Sequence, residues 1–462
     1  MTYQLVRDIP VEDGWDVVVA GGGPAGSAAA ICAARLGAKV LLVEAMGCLG
    51  GMGTSGYVAA FDPMADGEKS LVGGFIRELV ETLYSRGFMV PGIDPDSWRK
   101  HYHKWSGFRV EGLKLVLDEM AASAGVEVRF FTKVIDADSS AQSGEVRGIV
   151  TNSIEGYKYI KAKTFIDATG DAVLSQLAGA EYREAGRDTP HAMPATLCAL
   201  FAGVDWSKEP AFGSQSLEGV KKLEEEFALG NFEQCDRLFV GLWNHGETTG
   251  YMNGGHIFDL ISTSVRSLSD GMATGRRTAR QYEAFLKKYF ANCENLELVS
   301  TAPLMGVRES RRIVGEYELT FADYIARRQF LDQIGVFNKF VDIHMYDCSR
   351  EAYDRMMEEK TKTAILGHGE CFGIPYSIIV PKGFRNLWTA GRCNSSDVMV
   401  HGSIRVMPAC GMMGQAAGSA AVQSIQTGQK ANNLNTKTLV ETLRVNGAYL
   451  PQKEPSLTMT KA

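Results

Sequence analysis

Two clusters in the chain carry residue types and spacings suited to chemistry. In the first, His401 and Arg405 stand four apart in VHGSIRVMP, with Gly402 between them. Arginine presents a planar, permanently charged fork of donors that matches a carboxylate or a developing oxyanion. Histidine donates a hydrogen bond or moves a proton near neutral pH. The pair is therefore suited to hold an oxygen-bearing group and exchange a proton with it. The plainer alternative is an Arg405 bound to an internal acid and a structural His401. In the second cluster, GVRESRRIVGEY, four charges (Arg308, Glu309, Arg311 and Arg312) occupy five positions between Gly306 and Gly315. Such a cluster is usually the solvated face of a helix, and a helix is expected over 309–332. Yet the cluster follows an apolar run and is flanked by glycines, which a solvated face does not require. His245, His256, His344 and His368 are scattered through polar segments, where loops often line a site. A lone histidine is more often structural.

Elements must bring these clusters to a reacting group, and the N-terminal third shows how. WDVVVA (15–20) reads as a buried strand, followed by a glycine turn, a small-residue helix to about Leu36, and a second strand, KVLLV, ending at Glu44. Gly21, Gly23 and Gly26 satisfy GxGxxG directly between strand and helix. The first glycine permits the turn, the second lets a pyrophosphate lie on backbone, and the third lets helix and strand approach. The helix N-terminus adds oriented N–H donors. Glu44, at the end of the second strand, can accept ribose hydroxyls and would repel a 2′-phosphate. This predicts a dinucleotide site.

Further segments narrow the dinucleotide. A second glycine loop (Gly50, Gly51, Gly53, Thr54) follows Glu44, which an NAD domain does not require. Cys48 sits in that loop as a candidate redox thiol or flavin attachment point, although free cysteine is usually a small hydrophobe. A strand, VEVRFFTKV, is read at 126–134, and residues that alternate like a β-meander follow in EVRGIVTNS and YKYIKAKTFIDATG, ending in the turn Ala168-Thr169-Gly170-Asp171. A late strand, NLWTAGR, ends at Gly391 and Arg392. In this order the motifs resemble FAD-dependent oxidoreductases with the glutathione-reductase-type fold. The segments VAGGGPAG, GCLGGMGTSG, GVRESRRIVG and HGSIRVMPACGMMGQAAG resemble the bacterial family of FAD-dependent oxidoreductases, distantly similar to fumarate reductase and succinate dehydrogenase flavoprotein subunits.

The resemblance implies FAD as cofactor. Gly21, Gly23, Pro24, Ala25 and Gly26 would line its pyrophosphate and Glu44 its ribose. Gly50, Gly51 and Thr54 would run beside pyrophosphate and flavin, and Val134 would hold the adenine by its backbone. Gly170 and Asp171 would border the adenosine half, with Gly391 and Arg392 near the pyrophosphate–ribityl segment. A helix starting near Gly411 would aim its N-terminus at the flavin. It also implies that the HGxxR stretch, His401 to Arg405, binds substrate carboxylates, and that an arginine such as Arg308 delivers a proton; an Arg405 bound to FAD is the alternative.

The expected fold is α/β: a Rossmann-like FAD-binding domain, with a central parallel sheet and β-meander, in two parts (1–185 and 370–435). An inserted, mostly helical cap or substrate domain spans 186–369. A C-terminal extension follows at 436–462, with a disordered end. No second GxGxxG follows residue 170, so electrons are expected to pass to or from oxygen, a quinone or a protein carrier. Net charge is −6, with mixed signs and no basic block, which argues against nucleic acid. Nine scattered cysteines without CxxC argue against zinc or iron–sulfur sites and for a reducing cytoplasm. No membrane span and no leader are read, and a homo-oligomer is compatible. The chain is thus expected to be an FAD-dependent dehydrogenase or reductase, rather than an oxidase, acting on a small polar metabolite. The alternative is an electron-transfer subunit that serves a partner protein.

Overall fold

The computed structural model describes residues 3–101, 105–140, 143–189, 191–213, 216–362 and 366–451. The chain's final ten residues, read as disordered, lie outside these. The core is a sheet of seven strands: β1 (Val11–Ala20), β2 (Val40–Val43), β3 (Glu127–Arg129), β4 (Lys133–Ser140), β5 (Glu145–Ser153), β6 (Gly156–Asp167) and β7 (Leu387–Thr389). β3, β2, β1, β6 and β7 are parallel neighbours in that order. Val17–Ala20 are fully buried, as a parallel strand covered on both faces requires. β6 is long enough to belong to two arrangements. Its first half pairs antiparallel with β5, which pairs with β4, and this is the predicted meander. Its second half runs between β1 and β7. Strand β7 arrives from more than two hundred residues away, so the α/β fold is completed by the C-terminal part of the chain.

Helix α1 (Pro24–Arg35) covers the sheet beside a late helix of small residues, Met407–Thr427. The two approach closely because of glycine. A Cβ on Gly414 would stand 2.0 Å from the Ala25 carbonyl oxygen, and one on Gly418 would stand 2.3 Å from that of Ala29.

Between the two parts of this unit, the long helix α2 (Val265–Tyr289), capped by the Ser264 side chain, packs over a four-stranded antiparallel sheet. Strand Ala199–Ala202 lies between Gly250–Met252 and Glu297–Thr301, with Trp243–Asn244 at the edge. Phe201, Phe212, Phe239, Phe285 and Phe290 form a separate core here. Helices Leu217–Ala228 and Arg350–Lys362 also lie in this region.

The helix expected over 309–332 does not form. Arg311–Ile313 is a strand paired with Tyr182–Glu184, and helix is confined to Phe321–Ile325. The charges that suggested a solvated helix face have buried partners instead. Arg312, 1% exposed, is bound by the Asp188 carboxylate and the Ser396 carbonyl. Tertiary pairing overrode the local pattern.

Candidate functional site

The glycine turn after β1 shows the three predicted roles separately. Gly21 has φ +93°, and a Cβ there would strike the Ala168 carbonyl oxygen at 2.6 Å. A Cβ on Gly26 would lie 1.7 Å from the Gly21 carbonyl oxygen, so this glycine is demanded by helix–strand packing. Gly23 differs: its Cβ would meet only Gly51 Cα, at 4.0 Å. Protein packing does not require glycine at 23, whereas a ligand resting on the backbone does. Gly23 caps α1 without a side-chain hydrogen bond, and Pro24 follows. The N–H groups of Ala25 and Gly26 thus head the helix uncapped, an arrangement that suits a pyrophosphate.

Glu44 lies beneath this turn, 8% exposed, and accepts N–H bonds from Gly22 at 2.5 Å and Met46 at 2.7 Å. Burial raises its carboxyl above the ordinary range, against those N–H bonds. The second glycine loop is tied to the first: Gly50 N donates to the Gly22 carbonyl at 2.8 Å. Gly51, at φ +48°, abuts Gly23, where a Cβ would come 2.9 Å from its Cα. The Thr54 hydroxyl closes its own loop by donating to the Leu49 carbonyl at 2.6 Å. Cys48 Sγ lies 3.3 Å from Ser55 Oγ in that loop. Val134 is the second residue of β4, paired with Thr151. The chain just before it is bound to the Glu44 end of β2 through Thr132 N and the Glu44 carbonyl, at 2.9 Å.

The ATG turn and the late strand meet through Arg392. Its guanidinium donates to the carbonyls of Gly170 and Val307 and to the Asp171 carboxylate. The sequence placed Arg392 beside the cofactor. Its side chain joins three loops. Gly391, at φ +99°, brings that backbone against α1, where its Cβ would be 3.1 Å from that of Ala25.

Helix α3 (Val398–Ile404), capped by Asp397, positions His401. The ring is fully buried, and its Nε2 lies 2.8 Å from the Arg392 carbonyl oxygen. Burial first, and then Arg312, hold its pKa well below the usual range. A neutral ring follows, with Nε2–H donating to Arg392. Its Nδ1 is buried and has no partner among the described residues. Helix α4 (Met407–Thr427) begins at Met407 with no side-chain cap. Gly411 therefore lies a turn inside it and not at its start. A Cβ there would meet Ile76 Cδ1 at 2.2 Å, so Gly411 serves packing. The donors at that helix's head are the N–H groups of Met407 and Ala409, since Pro408 has none.

Arg405, between α3 and α4, is 12% exposed and pairs with Asp342 at 3.1 Å. Arg308, 9% exposed, donates to the Pro194 carbonyl at 2.7 Å and Thr196 Oγ1 at 2.9 Å. Burial, and then the charge of Arg405, lower its pKa to about 10. The two arginines picked from separate motifs are thus brought into mutual electrostatic reach. A chain of contacts continues from them. His344 Nε2 lies 3.4 Å from Asp342 Oδ2, His344 Nδ1 lies 2.9 Å from His256 Nε2, and His256 Nδ1 lies 3.2 Å from Asp236 Oδ1. Sequence reasoning missed Asp236 and Asp342 and could not pair the histidines, which are 88 residues apart. His245 and His368 stand outside this chain. Burial, and then Arg109, lower the pKa of His245 to about 4.

A parallel sheet with a glycine turn at the head of its first helix, a second glycine loop tied across it, and a C-terminal strand and helix closing the same edge together define a nucleotide-binding flavoprotein of the oxidoreductase class. The chain belongs to the FAD dependent oxidoreductase family, whose model matches residues 16–443, and FAD is its cofactor. An uncharacterised protein of Methanosarcina barkeri, encoded in the nifH2 5′ region, is 32% identical over 190 residues, covering 38% of this chain and 95% of the relative. Digeranylgeranylglycerophospholipid reductase 2 of Methanothermobacter thermautotrophicus is 31% identical over 223 residues, covering 44% of this chain and 51% of that protein, about half its length. Among solved structures, a geranylgeranyl bacteriochlorophyll reductase-like protein of Thermoplasma acidophilum is similar at 14% identity and a TM-score of 0.47, over 94% of this chain and 83% of that one. The flavin-dependent brominase Bmp2 is similar at 14% identity and a TM-score of 0.44, over 94% of this chain and 83% of that one. Among the described residues no helix is long and apolar enough to cross a membrane.

Proposed function

We propose that this protein passes a hydride between bound FAD and a carbon of a small polar metabolite that bears oxygen or a carboxylate. Arg405 and Arg308 hold the polar group. The inserted segment 186–369 acts as a cap that excludes water from the reaction. The observation that carries this reading is the convergence of the Arg308 and Arg405 guanidinium groups at Asp342. Such an excess of donors suits an oxyanion or carboxylate. FAD supplies the electron chemistry, and the protein binds, orients and polarises. The uncapped heads of α1 and α4 and the backbone at Gly23 are the groups available to hold it. Arg405 binding a substrate carboxylate, as in fumarate reductases, belongs to this proposal, as does a dehydrogenase or reductase direction. All nine cysteines are free, which accords with a reducing cytoplasm.

The test is to add hydroxy acids, sugars and unsaturated dicarboxylates in turn to the FAD-loaded protein under argon. Loss of the flavin absorbance with one donor, or its return with one acceptor after photoreduction, supports the proposal. A flavin that answers to no small molecule but exchanges electrons with a carrier protein would make the chain an electron-transfer subunit.

A further inference from the structure

The four-stranded sheet of the inserted region has two faces with different neighbours. Ala199, Phe201 and Met252 point into the aromatic core beside α2. Trp243, Tyr251, Leu200 and Ser300 stand directly opposite one another, one on each strand. Paired positions of an antiparallel sheet share a face, so these four form a row on the other side. That row is seated on the segment that follows the second glycine loop. At one end the Trp243 ring stacks on Trp105, with centroids 5.6 Å apart. Trp105 leads into the strand Ser106–Gly107, which pairs with Ala60–Phe61. In the middle, the Tyr251 hydroxyl lies against the Ala59 backbone. At the other end, Ser300 Oγ is 3.3 Å from the Tyr57 hydroxyl. Beyond it, Leu304 N donates to the Ser55 carbonyl at 3.0 Å. Ser55, Tyr57 and Ala59 therefore address the inserted region in alternation, from immediately behind Gly50–Thr54.

This seam turns on Tyr57. Its φ is +53°, a left-handed conformation that a bulky side chain rarely adopts. Such a conformation persists where the surroundings over-determine it. Here the backbone and the ring are held by different parts of the chain. Tyr57 N donates to the Thr54 carbonyl at 3.3 Å and Val58 N to the Met52 carbonyl at 2.8 Å, so the backbone belongs to the glycine loop. The ring packs both on the central core and on the core of Ala195, Leu197, Ile257, Leu260, Ala302 and Met305. The loop is itself joined to the first glycine turn through Gly50 and Gly51.

We propose that Tyr57 is a positioning residue for FAD. Its ring, anchored in the inserted region, holds the second glycine loop in the shape that receives the cofactor, so FAD binding and docking of the inserted sheet are coupled. The proposal rests on FAD as the cofactor and on the placement of Gly50–Thr54 beside it, and not on the hydride-transfer reading. Such a coupling is reciprocal: the inserted sheet tightens FAD binding, and FAD tightens the seam. Ser300, which belongs to neither glycine loop, acts through the Tyr57 hydroxyl.

The test uses the full chain. Flavin fluorescence titration reads FAD affinity, and amide hydrogen exchange over residues 297–304, with and without FAD, reads the seam. In the wild type, FAD should slow exchange over 297–304. Tyr57→Ala should weaken FAD binding on the order of ten- to a hundredfold and abolish that protection. Tyr57→Phe and Ser300→Ala should each weaken it roughly two- to tenfold. The double variant should be no weaker than either alone, because both remove the same hydrogen bond. A merely structural role would give additive effects and leave the FAD-dependent protection in place. Exchange over 297–304 that is the same with and without FAD overturns the proposal. So does an unchanged FAD affinity in Tyr57→Ala, or additivity of Tyr57→Phe and Ser300→Ala. If Tyr57→Ala does not fold, the two milder variants and their combination decide the question. These readouts are binding and exchange, not turnover. A flavin that answers to no small metabolite would therefore remove the hydride-transfer reading and leave the coupling standing.

Discussion

The His401 ring holds the Arg392 backbone carbonyl at 2.8 Å, and Arg392 in turn ties the ATG turn, Val307 and Asp171 together. A residue read as catalytic thus fixes the loop junction around which the site is built.

His401→Ala should accordingly act on stability. It leaves a buried carbonyl unpaired and opens a cavity, together worth about 2–4 kcal/mol. Thermal denaturation should show a lower Tm, with FAD bound more loosely. His401→Gln, which can keep the donor, should recover much of the loss. An unchanged Tm in His401→Ala would show that the contact does not bear on stability.

Two glycines in one motif should respond differently. Gly26→Ala meets the Gly21 carbonyl and should destabilise the apoprotein, with or without FAD. Gly23→Ala meets no close protein atom and should leave the apoprotein's Tm near wild type. Its FAD affinity should fall on the order of ten- to a hundredfold, as charge-assisted phosphate contacts are obstructed. Flavin fluorescence titration measures this directly.

Stability should decline on acidification through the buried histidines. His245 is lowered from 6.5 to about 4, and His401 well below 6.5. Between those values and 6.5 the unfolded chain binds protons that the folded chain does not, so stability is full above about 6.5 and is lost as pH falls towards 4. Tm measured from pH 7 to pH 5 should fall, and the fall should be shallower in His245→Gln. Equal slopes would remove His245 from this account.

Legibility in the sequence followed the range of the interactions. The turn at Gly21–Gly26, the strand ending at Glu44 and the meander are set by neighbouring residues, and all stood where the spacing put them. Arg308 and Arg405 were visible as types, yet nothing local revealed that both would face Asp342. The pairing of His256 with His344 rests on folding alone, because no periodicity links such positions. Gly411 was misread because helix α4 starts four residues earlier, at Met407, and the glycine answers to Ile76. The strand at Arg311–Ile313 looked helical because charge density alone cannot distinguish a solvated face from side chains turned inward to backbone groups and a carboxylate.

The central claim is that Arg405 serves the substrate and not the flavin. The most direct measurement is the absorbance spectrum of Arg405→Ala beside wild type, both FAD-loaded and under argon, with the donor that bleaches the wild type. The account predicts that the variant keeps the full flavin band on purification and that its bleaching slows on the order of a hundred- to a thousandfold. A variant that purifies without FAD, or one that bleaches at the wild-type rate, would contradict it.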